Sequence, residues 1–307
     1  MGIFSLKDAE QVRNSIIMRE QKRIRKLYGD LYQEVTKRIA SMPNSDMQKQ
    51  NLVLLQRELN TRMHQLSNDI KNGIARSIKT VSSAVVEDTR TFLKSCGFKD
   101  SEIHNAFQYV PDQIVRNIYT GNVYGKGWSF SDAIWKMERK NRNLINEIVS
   151  RGTAQGKSTL EIAKDIEKFI RPEARKASRV IDFVNPRTGK PDKFYFGNVD
   201  YNAQRLARTL INHAYMQSSQ ATNDKNPFCT GYIWHSAMEH GRTCATCMDR
   251  DGQLFEKGEV PEDHPNGLCT IEPYIENDMS EIAKMIGDWY NSPDGTFPEI
   301  DEYAMTF

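Results

Sequence analysis

Apolar residues recur at three- and four-residue steps along the first hundred residues, which is the spacing of one buried helix face. Residues 5 to about 40 carry one such stripe, and residues 45 to about 95 carry a second. The stripes consist of Ile24, Leu27, Leu31, Val35 and Ile39, then Leu55, Leu59, Met63, Leu66, Ile70, Ile74, Ile78, Val81 and Val85. Gly97 is a residue type suited to the end of the second helix. The pattern predicts two long helices that pack as a hairpin or lie along neighbouring subunits.

Shorter periodic segments follow and predict further helices over about 100–118, 131–152, 158–169 and 201–223. Ser158, with Glu161 three residues later, forms the capping box of the third of these. The strand-like segments VIDFV and KFYF flank the turn signal NPRTGK, so residues 171–198 are predicted to form a β-hairpin or an extended basic loop. GYIWHSA predicts one more short strand. The last forty residues are predicted to be loosely ordered, apart from a helix near 280–290.

These elements predict a mainly α fold with a small α+β C-terminal region. We predict three consecutive segments, namely a long helical hairpin over 1–130, a second domain over 131–275 and an acidic tail over 276–307. No apolar run reaches the length that spans a bilayer, so no membrane span is expected. The N-terminus has no small-residue cleavage site, so it does not match a secretory signal.

The charges are unevenly distributed, although the net charge is only +2. Residues 251–307 hold fourteen Asp or Glu and two Lys, a net charge of −12, so the rest of the chain carries +14. A basic body beside an acidic segment favours an anionic partner along the first part of the chain. A solvated helical surface would show the same excess of basic residues.

One basic segment combines positive charge with aromatic residues, because Phe194 and Tyr195 follow its last lysine. Contacts to a phosphate backbone from such a segment would be independent of sequence and sensitive to salt. A solvated loop, or a surface that docks on an acidic protein, would have the same composition. The candidate contact residues are Arg171, Arg175, Lys176, Arg179, Arg187, Lys190 and Lys193.

The five cysteines are odd in number and low in density, which favours reduced thiols over a disulfide scaffold. Cys244, Cys247, His264 and Cys269 have the spacing C-x2-C-x16-H-x4-C. Two thiolates on a tight turn, with a histidine and a third thiolate on a second loop, can complete a tetrahedral zinc site. Four protein ligands leave no open coordination position, so such a zinc would be structural.

Three other interpretations of this cluster stay open. The thiols could be reduced and unligated, and a redox-active CxxC pair is a weaker alternative because no βαβ pattern surrounds it. His264 with Glu262 and Asp263, assisted by His235 or His240, could also support metal-assisted hydrolysis. No spacing fixes a second and third catalytic group, so we predict a structural ligand beside solvated acids.

The residues of this region resemble the signature of the Mu F-like minor head proteins, the phage head-morphogenesis family. The likeness rests on Trp234, Arg242-Thr243-Cys244, Cys247, Asp251-Gly252, His264-Pro265-Asn266 and Cys269. Upstream, Gly156-Lys157-Ser158 and the stretch Ala207-Arg208-Thr209 with Asn212 and Ala214 resemble the helices that precede that signature. The likeness covers roughly residues 140–275. Where the family commonly has Cys-Arg-Cys, this chain has Gly267-Leu268-Cys269, which removes one ligand but leaves four.

The resemblance implies a metal-stabilised head-morphogenesis domain over 131–275 in a structural virion protein that is not an enzyme. Such a protein would be made in the host cytoplasm and would lie inside the capsid near the portal vertex. It would associate with the portal protein, and with packaged double-stranded DNA, the scaffold or the major capsid protein, and would act in head assembly or early genome delivery. It would have no small-molecule substrate. The alternative is a metal-dependent nuclease or a toxin-like effector built on the same module.

Overall fold

A computed structural model describes residues 4–41, 49–121, 129–170, 179–184, 191–196, 199–238, 243–292 and 297–306. The fold is mainly helical with a small α+β C-terminal region, as predicted, and that region contains a three-stranded antiparallel sheet. Within these ranges, no helix combines the length and the apolarity needed to cross a bilayer.

The helices and strands are distributed along the whole chain. The ten helices of the described ranges are α1 (Lys7–Ala40), α2 (Lys49–Cys96), α3 (Asp100–Phe107), α4 (Val110–Thr120), α5 (Phe130–Ala154), α6 (Thr159–Ile170), α7 (Val199–Asn223), α8 (Ala245–Arg250), α9 (Met279–Asn291) and α10 (Pro298–Ala304). The strands in those ranges are β1 (Arg179–Val184), β2 (Pro191–Phe196), β3 (Gly231–His235), β4 (Leu254–Glu256) and β5 (Thr270–Tyr274).

The chain packs as two compact units, neither of which is continuous in sequence. Unit 1 comprises residues 1–18, 74–127 and 207–307, and unit 2 comprises residues 19–73 and 128–206. Each unit is defined by its internal packing and combines segments that are distant from one another in the sequence. The division into consecutive segments at residues 130 and 275 is a statement about sequence organisation and stays a prediction.

The two predicted long helices form as α1 and α2, and the predicted stripe of α1 is buried apart from Leu27, which is partly exposed. All nine stripe positions of α2, from Leu55 to Val85, are buried. The helix ends as Gly97 predicts, because that residue has a φ of +110°. The amide of Gly97 donates to the carbonyl of Lys94 and that of Phe98 donates to the carbonyl of Leu93, which satisfies the last carbonyls of the helix.

The predicted single helix over 100–118 is wrong, because the segment forms two helices, α3 and α4. Pro111 stands in the first turn of α4. Proline has no N–H to donate to the preceding turn, and its ring is tolerated only where a helix begins. A continuous helix would have required that missing hydrogen bond, so the chain breaks at Gln108 and Tyr109.

The C-terminal residues are more ordered than predicted. Strand β5 and helix α10 both lie within the last forty residues. Tyr303 is buried, and its ring lies edge-on to Phe98 with the centroids 4.9 Å apart. The indole N–H of Trp289 donates to Asp301 at 2.8 Å and joins α9 to α10. The sequence pattern missed this because isolated aromatic contacts have no helical period.

In unit 2, β1 and β2 form an antiparallel hairpin in which Ile181 pairs with Phe194. The hairpin is thus the correct one of the two predicted alternatives, while its turn lies outside the described residues. Helices α5 and α6 precede it and are joined by a tight turn. Ser158 and Glu161 form the predicted capping box at the start of α6, with Ser158 N–H donating to the carboxylate at 2.8 Å.

Gly152 lies on α5 where the side chain of Ile162 from α6 packs against it. A Cβ atom on Gly152 would lie 2.5 Å from Cγ1 of Ile162, a fully packed side chain. We expect Gly152→Ala to lower the free energy of unfolding by about 1–3 kcal/mol through overpacking, despite the better helix propensity of alanine. Chemical denaturation measures the change. Gly287→Ala is the control, since α9 has open space there, and it should be neutral or stabilising. Equal effects of the two substitutions would contradict the packing argument.

Candidate metal centre

The small sheet of unit 1 brings the cysteine-bearing segments together. Strand β3 is central and pairs antiparallel with β4 on one side and β5 on the other. Helix α8 carries Cys247 between β3 and β4, and the loop over 263–269 leads directly into β5. Trp234, on β3, is fully buried, with Phe255 6.3 Å from its ring and the guanidinium of Arg250 5.4 Å from it. The strand predicted at GYIWHSA thus forms as β3, the central strand of the sheet beside which the cysteine-bearing segments lie.

The four predicted ligands fall into one cluster, arranged as two overlapping sets. Cys244, Cys247 and His264 place their ligand atoms within 4.8 Å of one another, and so do Cys247, Asp263 and Cys269. Cys247 belongs to both sets and lies at the centre of the cluster. Cys244 and His264 are exposed, whereas Cys247, Asp263 and Cys269 are buried.

The donor set, with its thiol and imidazole groups, could hold a metal ion. Zinc–sulfur bonds of about 2.3 Å in a tetrahedron put neighbouring ligand atoms roughly 3.5–4 Å apart. Within each set, no two ligand atoms are more than 4.8 Å apart, so the side chains of each set are near enough to share one ion. Nδ1 of His264 lies 3.3 Å from the carbonyl oxygen of Pro265, which can only accept. A proton on Nδ1 leaves the lone pair of Nε2 for a metal.

The three thiols of the cluster differ in their ionisation. Cys244 caps helix α8, and the backbone N–H of Cys247 donates to its sulfur at 3.4 Å, which lowers the pKa of the Cys244 thiol. Burial raises the pKa of Cys247 and of Cys269. Without a cation, the two buried sulfurs therefore remain protonated at neutral pH. Binding of zinc would release their protons, since only the thiolate is a ligand.

Asp263 is not the solvated acid that the sequence predicts, because only 3% of it is exposed. One carboxylate oxygen accepts from the side-chain amide of Asn212 at 2.9 Å and from the N–H of Cys269 at 3.1 Å. The other accepts from the N–H of His264 at 2.9 Å. A Cβ atom on Gly267 would lie 2.0 Å from this carboxylate, so only glycine fits there. Asp263 thus fixes the backbone of two predicted ligands, and we infer that it orients the loop and does not bind the metal itself.

Helix α7 holds the same loop from its other side. The hydroxyl of Thr209 accepts from the N–H of Asn266 at 2.8 Å, and Nε2 of His213 lies 2.9 Å from the carbonyl oxygen of Asp263. Asn212 donates both to Asp263 and to the carbonyl of Cys269. Asn266 has a φ of +70°, which asparagine tolerates better than most residues.

Arg13 completes this network, although it is not among the site residues that the sequence predicts. Its side chain is 2% exposed, donates to the Oδ1 atom of Asn212 at 2.9 Å and lies 5.0 Å from the ring of Tyr215. Burial lowers the pKa of Arg13, and nearby acidic groups oppose that shift. One sequence signal could have revealed it, since Arg13 lies four residues after Ala9 and three before Ile16, two buried positions on the same face of α1.

The other predicted functional residues are not part of this cluster. His235 lies in neither set of ligands within the described residues and contacts Glu272 at 3.0 Å, and His240 lies outside those residues. Of the candidate DNA contacts, Arg171, Arg175, Lys176, Arg187 and Lys190 also lie outside them. Arg179 is on β1 and Lys193 is on β2, so the hairpin brings those two strands side by side. Contact of these residues with DNA stays a prediction.

The exposure of the cysteines predicts an order of alkylation. In protein stripped of metal, iodoacetamide should react first with Cys244, because it is exposed and its pKa is lowered, while the other four cysteines are buried. Mass spectrometry of peptides over a time course measures the order. Prior addition of zinc should slow the reaction at Cys244 and leave the slow reaction at Cys229 unchanged. Reaction at Cys269 before Cys244 would contradict the arrangement.

Models of known protein families, curated proteins and solved structures were compared with this chain, and none of them matches it. Function is therefore inferred from the residues and their geometry.

Proposed function

We propose that this chain is a minor head protein of a tailed phage, a structural component inside the capsid and not an enzyme. It is made in the host cytoplasm and is incorporated near the portal vertex. There it associates with the portal protein and acts in head assembly or early genome delivery. The scaffold and the major capsid protein are further candidate partners, and no small-molecule substrate is proposed.

The observation that carries this proposal is that the signature residues lie together in unit 1. Trp234, Cys244, Cys247, His264 and Cys269 occur in the order that characterises the Mu F-like minor head proteins. In three dimensions, the last four form one cluster beside the strand that carries the buried Trp234. The helix before the signature has a physical role in this chain, since its Asn212 and Thr209 fix the loop that carries His264 and Cys269.

The metal that best suits this cluster of ligands is zinc, in a structural role. Cys244, Cys247, His264 and Cys269 would hold it, with Asp263 and Asn212 behind them to orient the loop. When bound, the ion would join two loops where the local apolar core is small. Four protein ligands would leave no position for a reacting water, which favours rigidity over catalysis.

The proposed contact with packaged DNA rests on charge. The chain outside residues 251–307 carries a net charge of +14, and the basic segment at 171–198 forms part of it. Binding of this kind would use phosphates and would weaken as salt is raised. It would serve a protein that lies beside the genome without reading its sequence.

Co-purification with a portal protein tests this function. The full chain, expressed with the portal protein from the same genome, should elute with it as a stable complex, whereas a portal protein from an unrelated phage should not be retained. Absence of the cognate complex would contradict the proposal. Divalent-metal-dependent cleavage of DNA by the same sample would then support the alternative, a nuclease or toxin-like effector.

A further inference from the structure

A cleft of about 450 Å³ opens between α4 and α7 in unit 1, beside the loop that carries His264 and Cys269. Its volume lies within the range of small-molecule sites, about 300–1,000 Å³. Ile114, Ile118 and Leu210 are buried and form an apolar floor. The exposed residues Asn117 and Glu262 lie on its wall, so the cleft is open to solvent there.

The polar wall of this cleft combines three side-chain amides with one carboxylate. Gln217, Gln220 and Asn117 each carry an amide oxygen that accepts and an NH2 group that donates, whereas Glu262 only accepts. Rotation of these amides can turn their oxygens towards a bound donor. Within the described part of the chain, none of these four side chains makes a hydrogen bond or an ion pair. Among the described residues that line the cleft, Glu262 brings a negative charge, and none is a lysine or an arginine. The cleft is therefore complementary to a cationic group that donates several hydrogen bonds.

His213 adds a fifth acceptor because of its tautomer. Its Nε2 atom lies 2.9 Å from the carbonyl oxygen of Asp263, and a carbonyl oxygen can only accept, so Nε2 carries the proton. In the neutral ring, Nδ1 then has a free lone pair. His213 is buried and lines the cleft, and Nδ1 has no hydrogen-bond partner among the described residues.

We propose that this cleft binds the guanidinium group of an arginine side chain that a protein partner presents. Guanidinium has five N–H donors in one plane and pairs with a carboxylate through two parallel hydrogen bonds, which matches Glu262 and the surrounding amide oxygens. The aliphatic stem of the arginine would lie on the apolar floor. A lysine ammonium has three donors at one point and would satisfy fewer of these acceptors.

The source of the guanidinium follows from the charges of the lining. Free arginine would bring an α-carboxylate, for which the described lining has no cation. A nucleic acid would bring phosphates next to Glu262, which repels them. An arginine within a polypeptide has neither problem. The site does not rest on the proposed function, since any protein partner could present the arginine.

Calorimetric titration of the full chain with N-acetyl-arginine methylamide tests the assignment. Wild type should bind one equivalent, and the isosteric neutral citrulline analogue and the lysine analogue should each bind at least about tenfold more weakly, which corresponds to one charge-assisted contact. Glu262→Gln should weaken binding of the arginine probe by a similar factor. Glu259→Gln, which makes the same charge change at an exposed position that does not line the cleft, should bind as wild type does.

Several outcomes would overturn the assignment. They are no saturable binding of the arginine probe, equal binding of the citrulline analogue, or wild-type affinity in Glu262→Gln. Free arginine that bound at least tenfold more tightly than the blocked residue would overturn the polypeptide source. Co-purification with a portal protein is a separate measurement, so a failure of either proposal leaves the other distinguishable.

Discussion

Replacement of Asp263 by alanine is expected to lower the free energy of unfolding of unit 1 by about 3–5 kcal/mol, the range for removing one member of a buried polar network. The carboxylate accepts three hydrogen bonds, from Asn212 and from the backbone of His264 and Cys269. Its loss leaves the buried N–H of Cys269 without its acceptor and removes one of the two acceptors of the Asn212 amide. It also leaves a void beside Gly267, whose missing Cβ makes room for the carboxylate.

Urea denaturation monitored by the fluorescence of the tryptophans measures this effect. Glu262→Ala is the matched control, since it removes the same functional group one residue away at an exposed position, and it should change stability by less than about 0.5 kcal/mol. The Asp263 variant should also bind zinc more weakly, because two ligands lie on the loop that it orients. A change in stability no larger than that of the control would show that the loop is held by other contacts.

Replacement of Arg13 by methionine is expected to lower the free energy of unfolding by about 3 kcal/mol, the second large effect. Methionine keeps much of the apolar volume but removes the donor to Asn212 and the contact of the charge with the ring of Tyr215. Asn212 then loses the donor to its side-chain oxygen and keeps only its hydrogen bonds to Asp263 and to the carbonyl of Cys269. The consequence should extend to the metal-site loop through that amide and through the carbonyl of Leu268, which Arg13 also contacts at 3.5 Å.

A double-mutant cycle tests this connection. Arg13→Met and Asp263→Ala should destabilise together by clearly less than the sum of the single effects, because both act through Asn212. Arg19→Met is the control, since Arg19 is exposed on the same helix and its loss should change little. Additive effects of Arg13→Met and Asp263→Ala would mean that the two residues stabilise the protein independently.

The sequence predicts best those elements in which apolar residues recur at a regular spacing. The stripe from Leu55 to Val85 repeats over many turns, so the predicted bounds of α2 are correct to within a few residues. The cysteines and His264 stand out in the sequence because thiols and an imidazole at this spacing are typical of a zinc site. Short elements such as β4 and α8 escape prediction, since three to six residues carry too little pattern. Pro111 is a local signal for a break, but the apolar spacing around it favours a continuous helix.

The residues that support the site cannot be predicted in the same way. Asp263 has acidic neighbours in sequence and looks like part of a solvated acidic segment, and only the tertiary fold buries it beneath Asn212. Arg13 lies 199 positions before that asparagine, so no local pattern joins them. The cleft between α4 and α7 likewise depends on how two helices pack. Asp263, Arg13 and the cleft all take their roles from contacts between segments that are distant in the sequence. The predicted metal ligands, in contrast, lie within 26 residues, so their spacing is visible in the sequence.

The most direct test of the account is the metal content of the folded chain, measured by native mass spectrometry. We expect one zinc ion per chain in the wild type, none in Cys247→Ser, and one in Cys229→Ser, a substitution of a buried thiol outside the cluster. Circular dichroism of each variant verifies that the helices are retained. A folded wild type that takes up no zinc, or a Cys247→Ser variant that keeps it, would contradict the metal centre from which the proposed function is argued.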